Sequence, residues 1–107
     1  MSESFDSDIE PEPEVPAGGI AKILPIINRR GLHARASAKF VQTVERFDAT
    51  VTVTRAGETV GGRSIMGLLT LGAAQGTTIA VVAVGEDAAD ALAAIEALLA
   101  NRFGEDE

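Results

Sequence analysis

The chain lacks cysteine, tryptophan and tyrosine, and it contains a single histidine. Without cysteine, disulfides, thiolate metal sites and cysteine nucleophiles are excluded. One histidine alone leaves no basis for a zinc or copper cluster, so we expect no metal and no cofactor. No uninterrupted apolar run approaches the ~20 residues that cross a bilayer. Because no such run is present, a membrane is not an expected partner. The shortage of aromatic side chains removes base-stacking platforms, so nucleic acid is not an expected partner either.

Acidic residues are concentrated at the start of the chain. Six carboxylates and three of the four prolines lie in residues 1–18, which contain no lysine or arginine, so most of the net charge of −7 belongs to this segment. Such a segment buries too little apolar surface to offset its ordering entropy. We predict a disordered tail over residues 1–18, a single domain over 19–104 and a disordered C-terminus over 105–107. The segment lacks the basic start and apolar core of a signal peptide, and we expect a cytoplasmic protein.

Hydrophobic periodicity predicts an α+β domain. Spacings of three and four mark helices, and alternation or short apolar runs mark strands. The predicted elements, in chain order, are strand 20–28, helix 34–46, strand 50–55, strand 58–60, helix 65–71, strand 77–84 and a last helix beginning after Asp87. Pro25 predicts that the first strand is an edge strand or has a bulge at this residue, and the strongly apolar fourth strand is expected at the centre. The order is β-α-β-β-α-β-α, and one sheet face is enough to bury the apolar stripes of all three helices.

The only histidine, His33, lies in the sequence Gly31-Leu32-His33-Ala34-Arg35, between the first strand and the first helix. Free backbone N–H groups at a helix start form a phosphate cradle, and the Arg35 guanidinium can bind phosphate oxygens in a forked geometry. A neutral imidazole placed there is suited to accept and release a phosphoryl group. The alternative is that His33 only caps the helix and that Arg35 is a solvated surface charge.

Two separated motifs in the predicted element order resemble the HPr family, the histidine-containing phosphocarrier proteins of the bacterial phosphoenolpyruvate-dependent phosphotransferase system. The first is the His33 motif, and the second is Arg63-Ser64-Ile65-Met66-Gly67, followed by Leu71-Gly72 and Gly76. The resemblance implies an open-faced β-sandwich, in which a four-stranded antiparallel sheet carries three helices on one face. It also implies a carrier, not an enzyme. Nδ1 of His33 would take phosphate from enzyme I and pass it to an EIIA-type acceptor, with Arg35 stabilising the phosphate.

The second motif implies regulation and docking. In the family, a dedicated HPr kinase/phosphorylase modifies the serine that corresponds to Ser64, whereas a serine here could also be only an N-cap. The apolar residues Ile65, Met66 and Leu69 exceed what the single buried stripe of a two-turn helix needs. We expect them to dock partner proteins, and the alternative is that they belong to the core. The protein is expected to be a monomer.

One departure from the family pattern concerns the residue after Arg35, which is commonly proline and here is Ala36. Arg29 and Arg30 also make the entrance to the site more basic, which leaves open whether the carrier serves sugar uptake or the related nitrogen-linked regulatory branch. Two rival hypotheses remain. One is an HPr-like regulatory binding module in which His33 is idle. The other is a small-molecule sensor of ferredoxin-like topology, which would need a concave apolar pocket and would not need His33.

Overall fold

A four-stranded antiparallel sheet forms the centre of the computed structural model, which describes residues 9–107. The strands lie in the order β1-β4-β2-β3, and every neighbouring pair is antiparallel. Their bounds are Gly19–Pro25 for β1, Thr50–Arg55 for β2, Glu58–Gly61 for β3 and Thr78–Val84 for β4. The helices are α1 (Ala34–Val44), α2 (Ile65–Thr70) and α3 (Ala88–Ala100), followed by a 3-10 turn at Arg102–Gly104.

Three helices cover one face of the sheet and enclose the core between the two layers. α1 packs against both other helices, and α3 lies on β1 and β4. Alternate residues of the strands point toward the helices because strand side chains alternate between the two faces. The largest fully buried apolar side chains are Phe40, Phe103, Ile26, Leu68, Ile79, Ile95, Val44, Val53 and Val81. The predicted open-faced α+β architecture and element order are thereby confirmed.

The strand predictions are confirmed in placement and differ in length. β1 pairs only with β4, so the strand with Pro25 is an edge strand, and β4 lies between β1 and β2. β1 ends at Pro25 instead of continuing to Asn28. Beyond it, the Ile26 N–H donates to the Thr77 carbonyl at 2.9 Å and the Ile26 carbonyl accepts from Gly76 N–H at 2.9 Å. This pairing with a loop turns the chain toward His33. α1 likewise ends at Val44, two residues before the predicted end.

The short helix α2 has the termini that its sequence predicts. The Ser64 Oγ accepts from the Gly67 N–H at 2.9 Å, which satisfies one of the unpaired donors of the first turn. At the other end, Gly72 adopts φ +61°, the left-handed conformation expected just after a helix. Ser64 is therefore an N-cap, whatever else it does.

The acidic segment before β1 touches the sheet within the described residues. Glu10 is 7% exposed, its N–H donates to the Thr78 Oγ1 at 2.8 Å, and its carboxylate accepts from the Ala56 N–H at 2.9 Å. The disorder predicted for residues 1–18 stays a prediction, and residues 1–8 lie outside the described residues. Composition did not anticipate the contacts of Glu10, because they depend on which strand residues face away from the helices.

In residues 9–107, no helix is both long enough and apolar enough to cross a membrane. The same part of the chain contains no group of three or more histidine and carboxylate side chains that could hold a metal ion.

The loop that leads into α1 depends on Gly31, which has φ +67°. A Cβ at this position would lie 2.5 Å from the Ala73 carbonyl oxygen, a contact that forces the backbone to move. Gly57 has a comparable φ of +81°, but a Cβ there meets no atom within 4 Å. We therefore expect Gly31→Ala to lower the free energy of unfolding by about 2–4 kcal/mol, and Gly57→Ala by about 1 kcal/mol. Urea unfolding of the two variants measures the difference, and equal losses would show that the close approach at Gly31 carries no cost.

Candidate functional site

His33 is the residue immediately before α1, and its backbone is extended, with φ −76° and ψ −177°. The loop that carries it is fastened by main-chain hydrogen bonds. The Leu32 N–H donates to the Ala73 carbonyl at 2.9 Å, and the Gly31 N–H donates to the Asn28 carbonyl at 3.2 Å. Leu32 is buried at 5% exposure, so its side chain anchors the loop in the core directly before the histidine.

The start of α1 leaves backbone donors free beside the imidazole. The first helical bond runs from the Ser37 N–H to the His33 carbonyl at 2.8 Å, so the N–H groups of residues 34–36 have no partner within the helix. Within residues 9–107, the His33 side chain makes no capping hydrogen bond to these groups. Helix capping therefore does not explain its position.

The imidazole instead contacts a carboxylate from the C-terminal segment. The Nε2 of His33 is hydrogen-bonded to Oε2 of Glu105, and Oε1 of the same carboxylate accepts from Asn28 Nδ2 at 3.1 Å. Asn28 is fully buried, and its Nδ2 also donates to the Gly31 carbonyl at 2.8 Å. The His33 and Glu105 side chains are 21% and 17% exposed, so the contact is partly shielded from water while the ring stays accessible.

The charge of Glu105 defines which ring nitrogen of His33 carries hydrogen. Burial of Glu105 raises its pKa, but the hydrogen bonds from His33 and Asn28, together with the positive charge of Arg30, outweigh it and hold the pKa below the usual glutamate value. An ionised carboxylate only accepts hydrogen bonds, so the nitrogen that faces it, Nε2, is the donor. In the neutral ring, the lone pair of Nδ1 is then free.

Four basic side chains surround the approach to this contact. Arg29, Arg30, Arg35 and Lys39 line a cavity whose other wall is residues 104–107. The Arg29 N–H donates to the Glu107 carbonyl at 2.6 Å, and its guanidinium pairs with the Glu107 carboxylate at 2.5 Å. Arg35 is exposed and forms no hydrogen bond or ion pair with any residue of the described chain. Its guanidinium is free to bind an anion.

A left-handed turn after α3 brings Glu105 to the histidine. Arg102, Phe103 and Gly104 have φ values of +54°, +55° and +80°, and Phe103 is 1% exposed. The Phe103 carbonyl accepts from Lys39 Nζ at 2.6 Å, which ties the turn to α1. The buried ring and this hydrogen bond fix the turn two residues before the carboxylate.

Sequence reasoning placed His33 and Arg35 correctly at the start of α1 but missed Asn28, Lys39 and Glu105. One signal was available for the C-terminal segment, because Phe103 continues the spacing of the α3 apolar stripe four residues after Leu99. That spacing indicates that the chain stays packed up to the last acidic residues. The disorder predicted for residues 105–107 stays a prediction.

The residues of the second motif lie on α2 and at its start, not on α1. Within the described residues, no hydrogen bond or ion pair joins Ser64 to His33 or Arg35. Met66 is 70% exposed and Ile65 is 40% exposed, whereas Leu69 is half-buried. Met66 and Ile65 therefore stand outside the core on an accessible helix, and Leu69 lies partly inside it.

Comparison with known proteins shows the family of the chain. A family model described as the PTS HPr component phosphorylation site matches residues 20–101. The phosphocarrier protein HPr of Neisseria meningitidis is 49% identical over 84 residues, which cover 78% of this chain and 94% of the relative. The HPr of Xylella fastidiosa is 47% identical over 83 residues, covering 78% and 93%.

Solved structures give the same result for the fold. HPr-C-His from Thermoanaerobacter tengcongensis superposes with a TM-score of 0.79 at 36% identity, covering 82% of this chain and 99% of that one. HPr from Bacillus anthracis gives a TM-score of 0.71 at 37% identity, covering 74% and 94%. With a family match over most of the domain, and with its only histidine at the start of the first helix, the chain belongs to the HPr family of phosphocarrier proteins of the phosphotransferase system.

Proposed function

We propose that Nδ1 of His33 accepts a phosphoryl group from phospho-enzyme I and passes it to an EIIA-type acceptor protein. The observation that carries this proposal is the state of the imidazole, which is accessible, begins a helix and has Nε2 engaged by Glu105. The lone pair of Nδ1 attacks phosphorus, a P–N bond forms, and the bond from phosphorus to the donor breaks. The electron pair of that bond returns to the donor. Transfer to the acceptor reverses these events.

Electrostatic preorganisation supports both directions of transfer. The free N–H groups at the start of α1 and the Arg35 guanidinium favour the phosphoryl oxygens. Phosphorylation at Nδ1 places positive charge on a ring whose Nε2 keeps its hydrogen, and the Glu105 carboxylate stabilises that charge. In serine hydrolases, an aspartate that is hydrogen-bonded to the catalytic histidine stabilises the imidazolium in the same way. Glu105 is thus proposed as a positioning residue that acts through His33.

The charged surroundings of His33 distinguish the carrier from the rival sensor. A sensor for a small apolar ligand needs a concave apolar pocket, whereas the cavity next to Glu105 is lined by charged side chains. The rival regulatory module leaves His33 idle, and it gives no reason for a carboxylate bound to Nε2. We propose that the carrier acts in the cytoplasm as a monomer. Phosphoryl transfer to purified EIIA proteins of the sugar and nitrogen branches identifies its acceptor.

Ser64 is proposed as a negative switch, modified by an HPr kinase/phosphorylase, and Ile65, Met66 and Leu69 as a docking surface for enzyme I and the acceptors. The exposure of Met66 supports docking, because a flexible thioether adapts to several partners. Phosphate on Ser64 adds nearly two negative charges beside that surface. The approach of an anionic phosphohistidine donor is then opposed.

The first prediction tests the carrier reaction. Phosphoenolpyruvate and enzyme I should place one acid-labile phosphate on the chain, and His33→Ala should abolish it. Arg35→Ala should slow labelling roughly 10- to 100-fold, since a charge-assisted hydrogen bond is lost. Arg46→Ala is the matched control, because it removes the same charge two residues beyond the other end of α1. Acid-stable labelling, or labelling of His33→Ala, would contradict the proposal.

The second prediction concerns the pH dependence of the Glu105 contact. Because the pKa of Glu105 is lowered on folding, its contribution to stability is present above the ordinary glutamate pKa and is lost as pH falls through the lower folded pKa. The melting temperature of Glu105→Gln should therefore lie below that of the wild type at neutral pH and converge with it in acid. Glu105→Gln should also label more slowly at pH 7. Glu107→Gln is the control, since its exposed pair with Arg29 contributes little. A melting-temperature difference that does not shrink in acid would be inconsistent with the contact.

The third prediction separates the cap from the switch. Ser64→Asp should slow the phosphorylation of His33 while the melting temperature stays equal or rises, because a carboxylate can also accept from Gly67 N–H. Ser64→Ala should keep the reaction and lose about 1 kcal/mol of stability. Labelling of Ser64→Asp at the wild-type rate would leave Ser64 as a cap alone.

A further inference from the structure

A fully buried asparagine lies between the loop before α1 and the C-terminal segment. Asn28 follows the end of β1 by three residues, and it is 0% exposed. Asparagine is mostly found at protein surfaces, because removing an amide from water costs free energy unless hydrogen bonds replace the water. The hydrogen-bond partners of this amide therefore indicate why it is buried beside His33.

The first partner is Gly31, at the other end of the turn that Asn28 begins. The Gly31 N–H donates to the Asn28 carbonyl at 3.2 Å, as in a β-turn, and Asn28 Nδ2 donates to the Gly31 carbonyl at 2.8 Å. Both main-chain groups of Gly31 are thus held by one residue. This contact closes the turn directly before Leu32 and His33, and it uses one of the two amide N–H groups.

The second amide N–H of Asn28 is bound outside the turn, by the C-terminal segment. It donates to Oε1 of Glu105 at 3.1 Å, across 77 positions of the chain. Both neighbours of Nδ2 are acceptors, so a reversed amide would place its oxygen against two other oxygens. The two oxygens of the carboxylate consequently have different partners, because Oε1 faces Asn28 and Oε2 faces Nε2 of His33.

Holding this loop does not by itself require an amide. Ser37 is also fully buried, and it binds the same loop from α1 with a single hydroxyl, which donates to the Leu32 carbonyl at 3.2 Å. Asn28 carries an additional cost, because its buried Oδ1 has no hydrogen-bond partner within residues 9–107. What the amide adds over a hydroxyl is a second N–H donor, and that donor is bound to Glu105.

We propose that Asn28 is a positioning residue for phosphoryl transfer, which holds Oε1 of Glu105 so that Oε2 stays on Nε2 of His33. A glutamate side chain is flexible, and one hydrogen bond to a partly exposed ring leaves its carboxylate free to turn. A second bond from a buried donor fixes the carboxylate before the phosphoryl group arrives. The proposal rests on the carrier function proposed for His33, and it adds to that function a residue that does not itself touch the phosphoryl group.

Side-chain NMR tests the geometry without enzyme I. In the wild type, an Nδ2 proton signal of Asn28 should move together with the Glu105 carboxyl signal as acid is added, because both report the same hydrogen bond. Asn28→Leu keeps the branched shape of the side chain and removes both donors, so it should raise the pKa of Glu105 toward its ordinary value. An Asn28 signal that does not respond to Glu105, or an unchanged pKa of Glu105 in Asn28→Leu, would overturn the proposal.

Ser37→Ala is the matched control, because it removes a buried contact of the same loop and leaves the bond between Asn28 and Glu105 in place. It should leave the pKa of Glu105 unchanged. The other charged residues around the carboxylate are the same in all of these variants: Arg29, Arg30, Arg35, Lys39, Asp106 and Glu107.

Labelling by enzyme I and phosphoenolpyruvate tests whether Asn28 acts through Glu105. Asn28→Leu should label roughly 2- to 10-fold more slowly than the wild type, which is the effect of one hydrogen bond, and Ser37→Ala should label within about twofold of the wild type. In Glu105→Ala the carboxylate is absent, so adding Asn28→Leu should change the rate by less than about twofold. The melting temperature of each variant shows that it is folded, and Asn28→Ala replaces Asn28→Leu if the leucine does not fit.

Equal slowing by Asn28→Leu with and without the carboxylate would overturn the proposal, because Asn28 would then act only through the turn. The wild-type signal of Asn28 tests the contact even if neither variant folds. Failure of the carrier function gives a different result, since no phosphate would reach His33 in the wild type while the NMR results would stand.

Discussion

The close approach between Gly31 and the backbone of Ala73 shapes the region around the histidine. No side chain fits between these two loops, and the hydrogen bond from the Leu32 N–H to the Ala73 carbonyl closes them. Leu32 then enters the core, and His33 is left at the first position outside it. The helix start, its free donors and the exposure of the ring all follow from this one contact between loops that lie about forty residues apart in the chain.

Two of the three acidic residues that line the basic cavity, Glu105 and Glu107, differ in what they contribute. Glu107 pairs with Arg29 in water, and such exposed pairs contribute about 0–1 kcal/mol. Glu105 is less exposed, and it accepts hydrogen bonds from both His33 and Asn28, so its ionised form is specifically favoured. Arg35 pairs with neither of these two glutamates. The site therefore combines a stabilised anion, the Glu105 carboxylate, with an unpaired cation, the Arg35 guanidinium. This separation of charge suits a phosphoryl group that must bind and then be released.

Local patterns predicted the elements that contain the motifs, because periodicity, capping and proline act over a few residues. Ser64, Gly72 and Pro25 each have a meaning that does not depend on distant parts of the chain. The contacts of Glu105 and Glu10 could not be read in this way. Each depends on a turn with left-handed residues and on a partner more than forty residues away, and composition marks both segments only as acidic. The sequence also shows that β4 has apolar residues, Ala80 and Val82, on the side away from the helices. That pattern does not indicate which segment of the chain lies over them.

The short distance along the chain between Phe103 and Glu105 limits which sequence changes the C-terminal segment tolerates. The aromatic ring is locked in the core, and only Gly104 separates it from the carboxylate. One inserted residue would advance the chain by about 3.3 Å, more than the range of distances over which a hydrogen bond is effective. An insertion or deletion in this stretch therefore moves the Glu105 carboxylate out of hydrogen-bonding range of His33. The spacing of the last residues is therefore as much a part of the site as their identity.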